Sequence, residues 1–138
     1  MSTQEDWIKP EKYRLPKGKF LVTSLVQDAL GTKINLGNEE FVVEIFFDGI
    51  PVLLRSTVEG LRIHTWEDVQ LKYEDRFYFR ENFFYEVKNS KLVKWCVEES
   101  YGYSGDSELR HYCIVTSEEF IDIVSTFEPM IKVVSVLR

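Results

Sequence analysis

The chain is short of most things that carry chemistry or cross membranes. It holds two cysteines and two histidines in 138 residues. That is too few for a disulfide framework, and His64 and His111 stand at no zinc-finger or ribbon spacing from the cysteines. No apolar run is long: "FVVEIFF" at 41–47 falls far short of the roughly 20 residues that a membrane-spanning helix needs. The opening "MSTQEDWIKPEKYRLPKGKF" has no apolar core behind a basic end, so no secretory signal is expected. The expected compartment is the cytoplasm, where both cysteines stay as thiols. A basic excess is missing as well. With 17 Lys and Arg against 23 Asp and Glu, the net charge is -6. A chain without a basic stripe is poorly suited to a phosphate backbone, so neither a nucleic-acid nor a membrane partner is expected. No repeat, low-complexity run or linker interrupts the sequence, which reads as one domain over 1–138. Residues 1–18, polar and carrying Pro10 and Pro16, read as an irregular arm pinned by Trp7 and Tyr13.

What is present belongs to a strand-rich globular domain. Hydrophobic residues make up 44% and charged residues 29%, enough to bury a core without staples. Aromatics at 14% favour strands over helices. "KFLVTSLVQDAL" predicts a strand, and Lys33–Asn38 a weak further one after a loop. In "EFVVEIFFDGIPVLLRSTVEG", Asp48-Gly49 between two β-rich runs predicts a tight hairpin, since a primed turn needs the positive φ that glycine adopts freely. "LRIHTWEDV" alternates and predicts a half-exposed strand. Further strands are expected up to residue 99, with a turn at Asn89-Ser90. In "TSEEFIDIVSTFEP", Thr116 and Glu119 have capping-box spacing. Phe120, Val124 and Phe127 recur at helical intervals, and Pro129 ends the segment. "MIKVVSVLR" closes as a strand. The expected fold is α+β, a mostly antiparallel sheet of about seven or eight strands with one helix over about 117–127 and a last strand behind it.

The stretch "CVEESYGYSGDSELRHYC", residues 96–113, invites a hairpin reading. Reversal near Ser104-Gly105 would set Cys96 opposite Cys113, Glu98 opposite His111, Glu99 opposite Arg110, Val97 opposite Tyr112 and Trp95 opposite Ile114. Each is a compatible cross-strand pair. The tip, Tyr101 to Glu108, carries two tyrosines, two acids and two glycines. Read blandly, it is a solvated loop. Tyrosine, however, offers a large amphipathic contact area at low entropy cost, and with Glu98 and Glu99 beside it the patch is locally acidic.

Motifs for catalysis are sparse. Asp75 with Glu86 and Lys88 resembles the D…ExK signature of metal-dependent nucleases, in which the acids hold Mg²⁺ and the lysine orients water. The helix that usually precedes this signature is missing, and an exposed strand face explains Glu86 and Lys88 as well. "GYSGD" lacks the spacing of a nucleophile elbow, and there is no phosphate-binding loop or dinucleotide fingerprint. Cys113 with His111 is imaginable as a nucleophile pair, but Cys113 borders an apolar run. No metal and no cofactor is expected.

In overall character, acidic, single-domain and without catalytic signatures, the chain resembles the small immunity proteins that bacteria make against polymorphic or contact-dependent toxins. The resemblance runs along the whole chain and carries no motif, so no family residue is transferred. It implies a non-catalytic protein that caps a basic protein partner by charge complementarity. The residues expected to meet that partner are Glu98, Glu99, Asp106 and Glu108 for steering, with Tyr101 and Tyr103 as anchors. A small-molecule-binding domain or a metal-dependent enzyme is the alternative.

Overall fold

The computed structural model describes residues 3–102 and 108–136. Its strands are β1 (Asp6–Ile8), β2 (Leu21–Asp28), β3 (Gly31–Gly37), β4 (Phe41–Phe47), β5 (Leu53–Val58), β6 (Phe84–Lys88), β7 (Arg110–Val115), β8 (Glu119–Ser125) and β9 (Met130–Ser135). Two α-helices, α1 (Ile63–Tyr73) and α2 (Lys91–Glu99), lie in the middle of the sequence. The strands form a five-stranded sheet, β1-β6-β7-β8-β5, and a four-stranded sheet, β2-β3-β4-β9. Every pairing among the described residues is antiparallel. The class is therefore α+β, as expected, with nine strands in two sheets among the described residues instead of about seven or eight strands. No helix among the described residues is long and apolar enough to cross a membrane.

Alternation builds the four-stranded sheet. Ile34 and Leu36 of β3 and Val43, Ile45 and Phe47 of β4 are fully buried, while Lys33, Val42 and Glu44 point away. The inward row meets Phe84, Tyr112, Ile114, Ile121 and Ile123 of the five-stranded sheet in one core. That second sheet is covered on its other face too. Tyr85, Val87, Cys113, Val115 and Phe120 pack against Val69 and Trp66 of α1, and Val124 packs against Val93 and Cys96 of α2. A strand covered on both sides reads as a continuous apolar run, which is why every residue from Phe120 to Ser125 is buried.

That double coverage overturns the helix expected over 117–127, which is strand β8. Apolar residues at every position satisfy a helical interval as readily as a strand does. The Thr116–Glu119 spacing serves a hairpin turn instead. The Thr116 hydroxyl accepts from the Glu119 N–H at 3.1 Å, and the Thr116 N–H donates to the Glu119 carbonyl at 3.0 Å. The reverse correction holds for 61–69, expected as a strand. Here Trp66, Val69 and Tyr73 fall on one helical face and meet the same aromatic cluster.

Four further expectations change. Asp48-Gly49 is not a hairpin tip, because β4 belongs to one sheet and β5 to the other; the glycine turns the chain between layers. Residues 94–99 are helical, so Cys96 does not face Cys113. Cys113 is paired across the sheet with Tyr85 and Asp122, and both thiols are free and buried. Nor does Glu98 meet His111 or Glu99 meet Arg110; Arg110 pairs with Glu128 at 2.5 Å. The arm is not wholly irregular, since Trp7 is buried and β1 adds an edge strand beside β6. Lys33–Asn38 falls largely within β3, an interior strand of its sheet rather than a weak one.

The β2–β3 turn is tightly constrained at Gly31. Its φ is +137°, and a Cβ there would lie 2.5 Å from the Phe47 carbonyl oxygen. Gly31→Ala should therefore destabilise the fold by about 1–3 kcal/mol or more. Gly60→Ala, which would meet nothing within 4 Å, should be neutral or slightly stabilising. Urea denaturation of both variants checks the contrast.

Candidate functional site

The helix-facing side of the five-stranded sheet carries a charge where an apolar side chain would be cheapest. Asp122 lies mid-strand in β8, fully buried, with Arg55 of β5 on one side and Cys113 of β7 on the other. A buried carboxylate is tolerable only when its lone pairs are occupied, and here they are. Oδ2 accepts from Arg55 Nε at 3.0 Å and Nη2 at 2.8 Å, and from Arg62 Nη1 at 2.5 Å. Oδ1 lies 2.8 Å from His111 Nε2. Arg62, from the 3-10 turn ahead of α1, is nearly buried, also donates from Nε to the Thr65 hydroxyl at 3.3 Å, and stacks over Phe120.

The network continues into α2. His111 Nδ1 is 2.7 Å from the Ser90 hydroxyl, and that same oxygen accepts from the Val93 N–H at 3.1 Å as the N-cap of the helix. With the ring proton on Nε2 facing Asp122, the Ser90 hydroxyl donates to Nδ1 and every group is satisfied. Burial alone would push the Asp122 carboxyl up. The hydrogen bond from His111, with the charges of Arg62 and Arg55, outweighs it and holds the carboxyl well below the usual range.

Serine, histidine and aspartate joined by hydrogen bonds suggest nucleophilic catalysis, but the geometry gives them another role. The Ser90 oxygen is engaged by the helix cap, and the residue is 4% exposed. It borders a groove shared with Lys88, Asn89 and Arg110, whereas His111 borders a different cavity, so the groups do not converge on one space. Cys113 is no nucleophile either. It is fully buried, and burial, with Asp122 nearby, pushes its thiol well above the usual range. The linked side chains act as a strut from β5 through β8 and β7 to both helices.

Between α1 and α2 lies a cleft of about 530 Å³, bordered by Arg55, Arg62, Lys91, Trp95 and His111 among others. The opposite end of α2 carries Glu98 and Glu99, two of the residues expected from sequence to meet a partner. Glu98 and Glu99 are exposed in its last turn, Tyr101 is entirely exposed, and Glu108 is exposed where the chain returns. Tyr103 and Asp106 lie outside the described residues. Tyr101 adopts a φ of +52° ahead of Gly102 at +79°, and the Gly102 N–H closes on the Val97 carbonyl at 2.8 Å.

The nuclease-like residues are not assembled. Glu86 and Lys88 share a face and pair at 2.9 Å. Asp75 sits in the turn after α1, where its carboxylate accepts from the Phe77 N–H. Among the described residues no three His, Cys, Asp or Glu side chains gather as a metal would require. His64 is a surface side chain, as expected, but on α1, 3.4 Å from Asp68. The strut itself was missed in the sequence, although "FIDIV" held its signal: a lone acid inside an apolar run needs buried partners.

The strut generates a pH prediction. A carboxyl held below its unfolded pKa contributes stability that is complete above that unfolded value, about 3.9, and is lost as pH falls toward the folded one. Asp122→Asn should cost about 3 kcal/mol or more at pH 7 by leaving two guanidiniums short of their counter-charge. The gap to the unmodified protein should narrow below about pH 4. Urea midpoints measured from pH 7 down to pH 3 check both the size and the sign.

Comparison with known proteins adds no relative: no family model matches the chain, and neither a curated protein nor a solved structure matches it significantly.

Proposed function

We propose that this protein is a non-catalytic binding protein of the immunity type, which caps a basic protein partner with the acidic end of α2. One observation carries the reading: three neighbouring residues are placed against their own local stability. Glu98 and Glu99 occupy the last turn of α2, which contains no basic residue. Acids there oppose the helix dipole and cost about 0.3–1 kcal/mol each. Tyr101 takes a left-handed conformation that costs a side-chain-bearing residue roughly 1–2 kcal/mol, and its ring is entirely exposed. Departures from local preference gather where function requires them. A cationic partner would neutralise the acids and cover the ring. A net charge of -6 adds long-range steering toward such a partner.

The test has an arm that needs no partner. Tyr101→Gly should stabilise the free protein by about 1 kcal/mol, because the left-handed strain is relieved. The partner is then isolated by pull-down from the protein's own cells and studied by surface-plasmon kinetics. Replacing Glu98, Glu99, Asp106 and Glu108 by Ala should slow association and flatten its salt dependence. Tyr101→Ala and Tyr103→Ala should quicken dissociation, at about 1–2 kcal/mol or more each. If those changes leave binding intact while substitutions on another face abolish it, the reading fails.

A further inference from the structure

The cleft at the other end of α2 has the opposite chemistry and is independent of the acidic end. Its floor is the exposed side of the Asp122 strut. Two guanidiniums share that one carboxylate, so the floor keeps a surplus of one positive charge. Neither guanidinium is used up. Arg55 spends Nε and Nη2 on Asp122, and Arg62 spends Nε and Nη1 on Thr65, Thr57 and Asp122. Arg55 Nη1 and Arg62 Nη2 find no partner among the described residues, nor does the Lys91 ammonium at the first turn of α2. Two acids also border the cleft, Glu5 and Asp68, and neither forms an ion pair with Arg55, Arg62 or the Lys91 ammonium. The Glu5 carboxylate accepts from the Lys91 backbone N–H at 2.9 Å and the Trp7 indole at 3.4 Å, and Asp68 faces His64.

Apolar side chains border the same cleft from both α2 and β5. Trp95 is half exposed on α2, and Leu92 and Leu53 border the same space. An exposed indole beside unpaired guanidinium donors recognises a flat ring at one end and an anion at the other. The volume, about 530 Å³, falls within the roughly 300–1,000 Å³ of small-molecule sites. We infer that the cleft between α1 and α2 binds a small organic anion, a carboxylate or phosphate carried on a planar ring. The anion sits on Arg55, Arg62 and Lys91, and the ring lies against Trp95.

Titration of the full chain with benzoate, phenyl phosphate, inorganic phosphate and benzylamine, followed by amide chemical shifts, tests this directly. Benzoate or phenyl phosphate should shift the amides of Thr65, Asp68, Leu92 and Trp95. Either should bind at least about tenfold more tightly than inorganic phosphate or benzylamine. A preference between the two ring-bearing anions identifies the natural headgroup. Lys91→Ala and Trp95→Ala change exposed side chains, so the fold should persist while affinity falls about tenfold in each. Arg55→Gln should abolish binding; should it fail to fold, the other two variants carry the test. The inference is overturned if benzylamine binds as well as the anions, if the shifts fall outside the cleft, or if no ring-bearing anion binds more tightly than about 10 mM.

Discussion

The structure depends on one buried carboxylate. Asp122 sits at zero exposure in the middle of a strand covered on both faces, where an unpaired charge would cost a large share of the fold's whole stability. Its partners come from β5, from β7 and from the turn that starts α1, and through His111 it reaches the cap of α2. Apolar contacts alone would let either helix slide over the sheet, because they are non-directional. Directional bonds to one fixed carboxylate give each helix a defined start. The separation between those two starts is the cleft.

The same arrangement makes α2 a helix with two unlike ends. Its first turn carries Lys91 beside two guanidiniums, and its last turn carries Glu98 and Glu99 ahead of an exposed tyrosine. Both sets oppose the helix dipole, so neither helps α2 to form. What holds the helix is Ser90 at its cap and the burial of Val93 and Cys96. A helix fastened by its buried face can present charges that its own electrostatics would disfavour. The partner reading and the ligand reading both draw on that freedom, each at its own end.

The α+β class and several strands were legible in the sequence, and the errors have distinct causes. β2, β4 and β9 followed from alternating or β-branched runs, and Trp7 was rightly seen as an anchor. Wherever a strand is covered on both sides, the period of two disappears. "FIDIV" then looked helical, and the capping-box spacing of Thr116 and Glu119, which serves a turn here, reinforced the misreading. α1 was hidden for the opposite reason. The alternation at 61–66 overlaps its first turn, while its buried positions, Trp66, Val69 and Tyr73, emerge only over a longer window. The 96–113 hairpin failed because complementary pairs can be drawn between any two segments rich in acids, bases and aromatics. The exposure of Glu98, Glu99, Tyr101 and Glu108 does not depend on that register. The cleft was not legible at all: Arg55, Arg62, Lys91 and Trp95 are brought together only by tertiary packing.

Hydrogen exchange, residue by residue, on Asp122→Asn beside the unmodified protein tests the role of the carboxylate most directly. If it fastens both helices, the amides of α1 and α2 should lose protection together, while those of β3 and β4, whose core lies in the other layer, keep theirs relative to global unfolding. Wild-type protection in the helices, or a loss spread evenly over both sheets, would contradict the account.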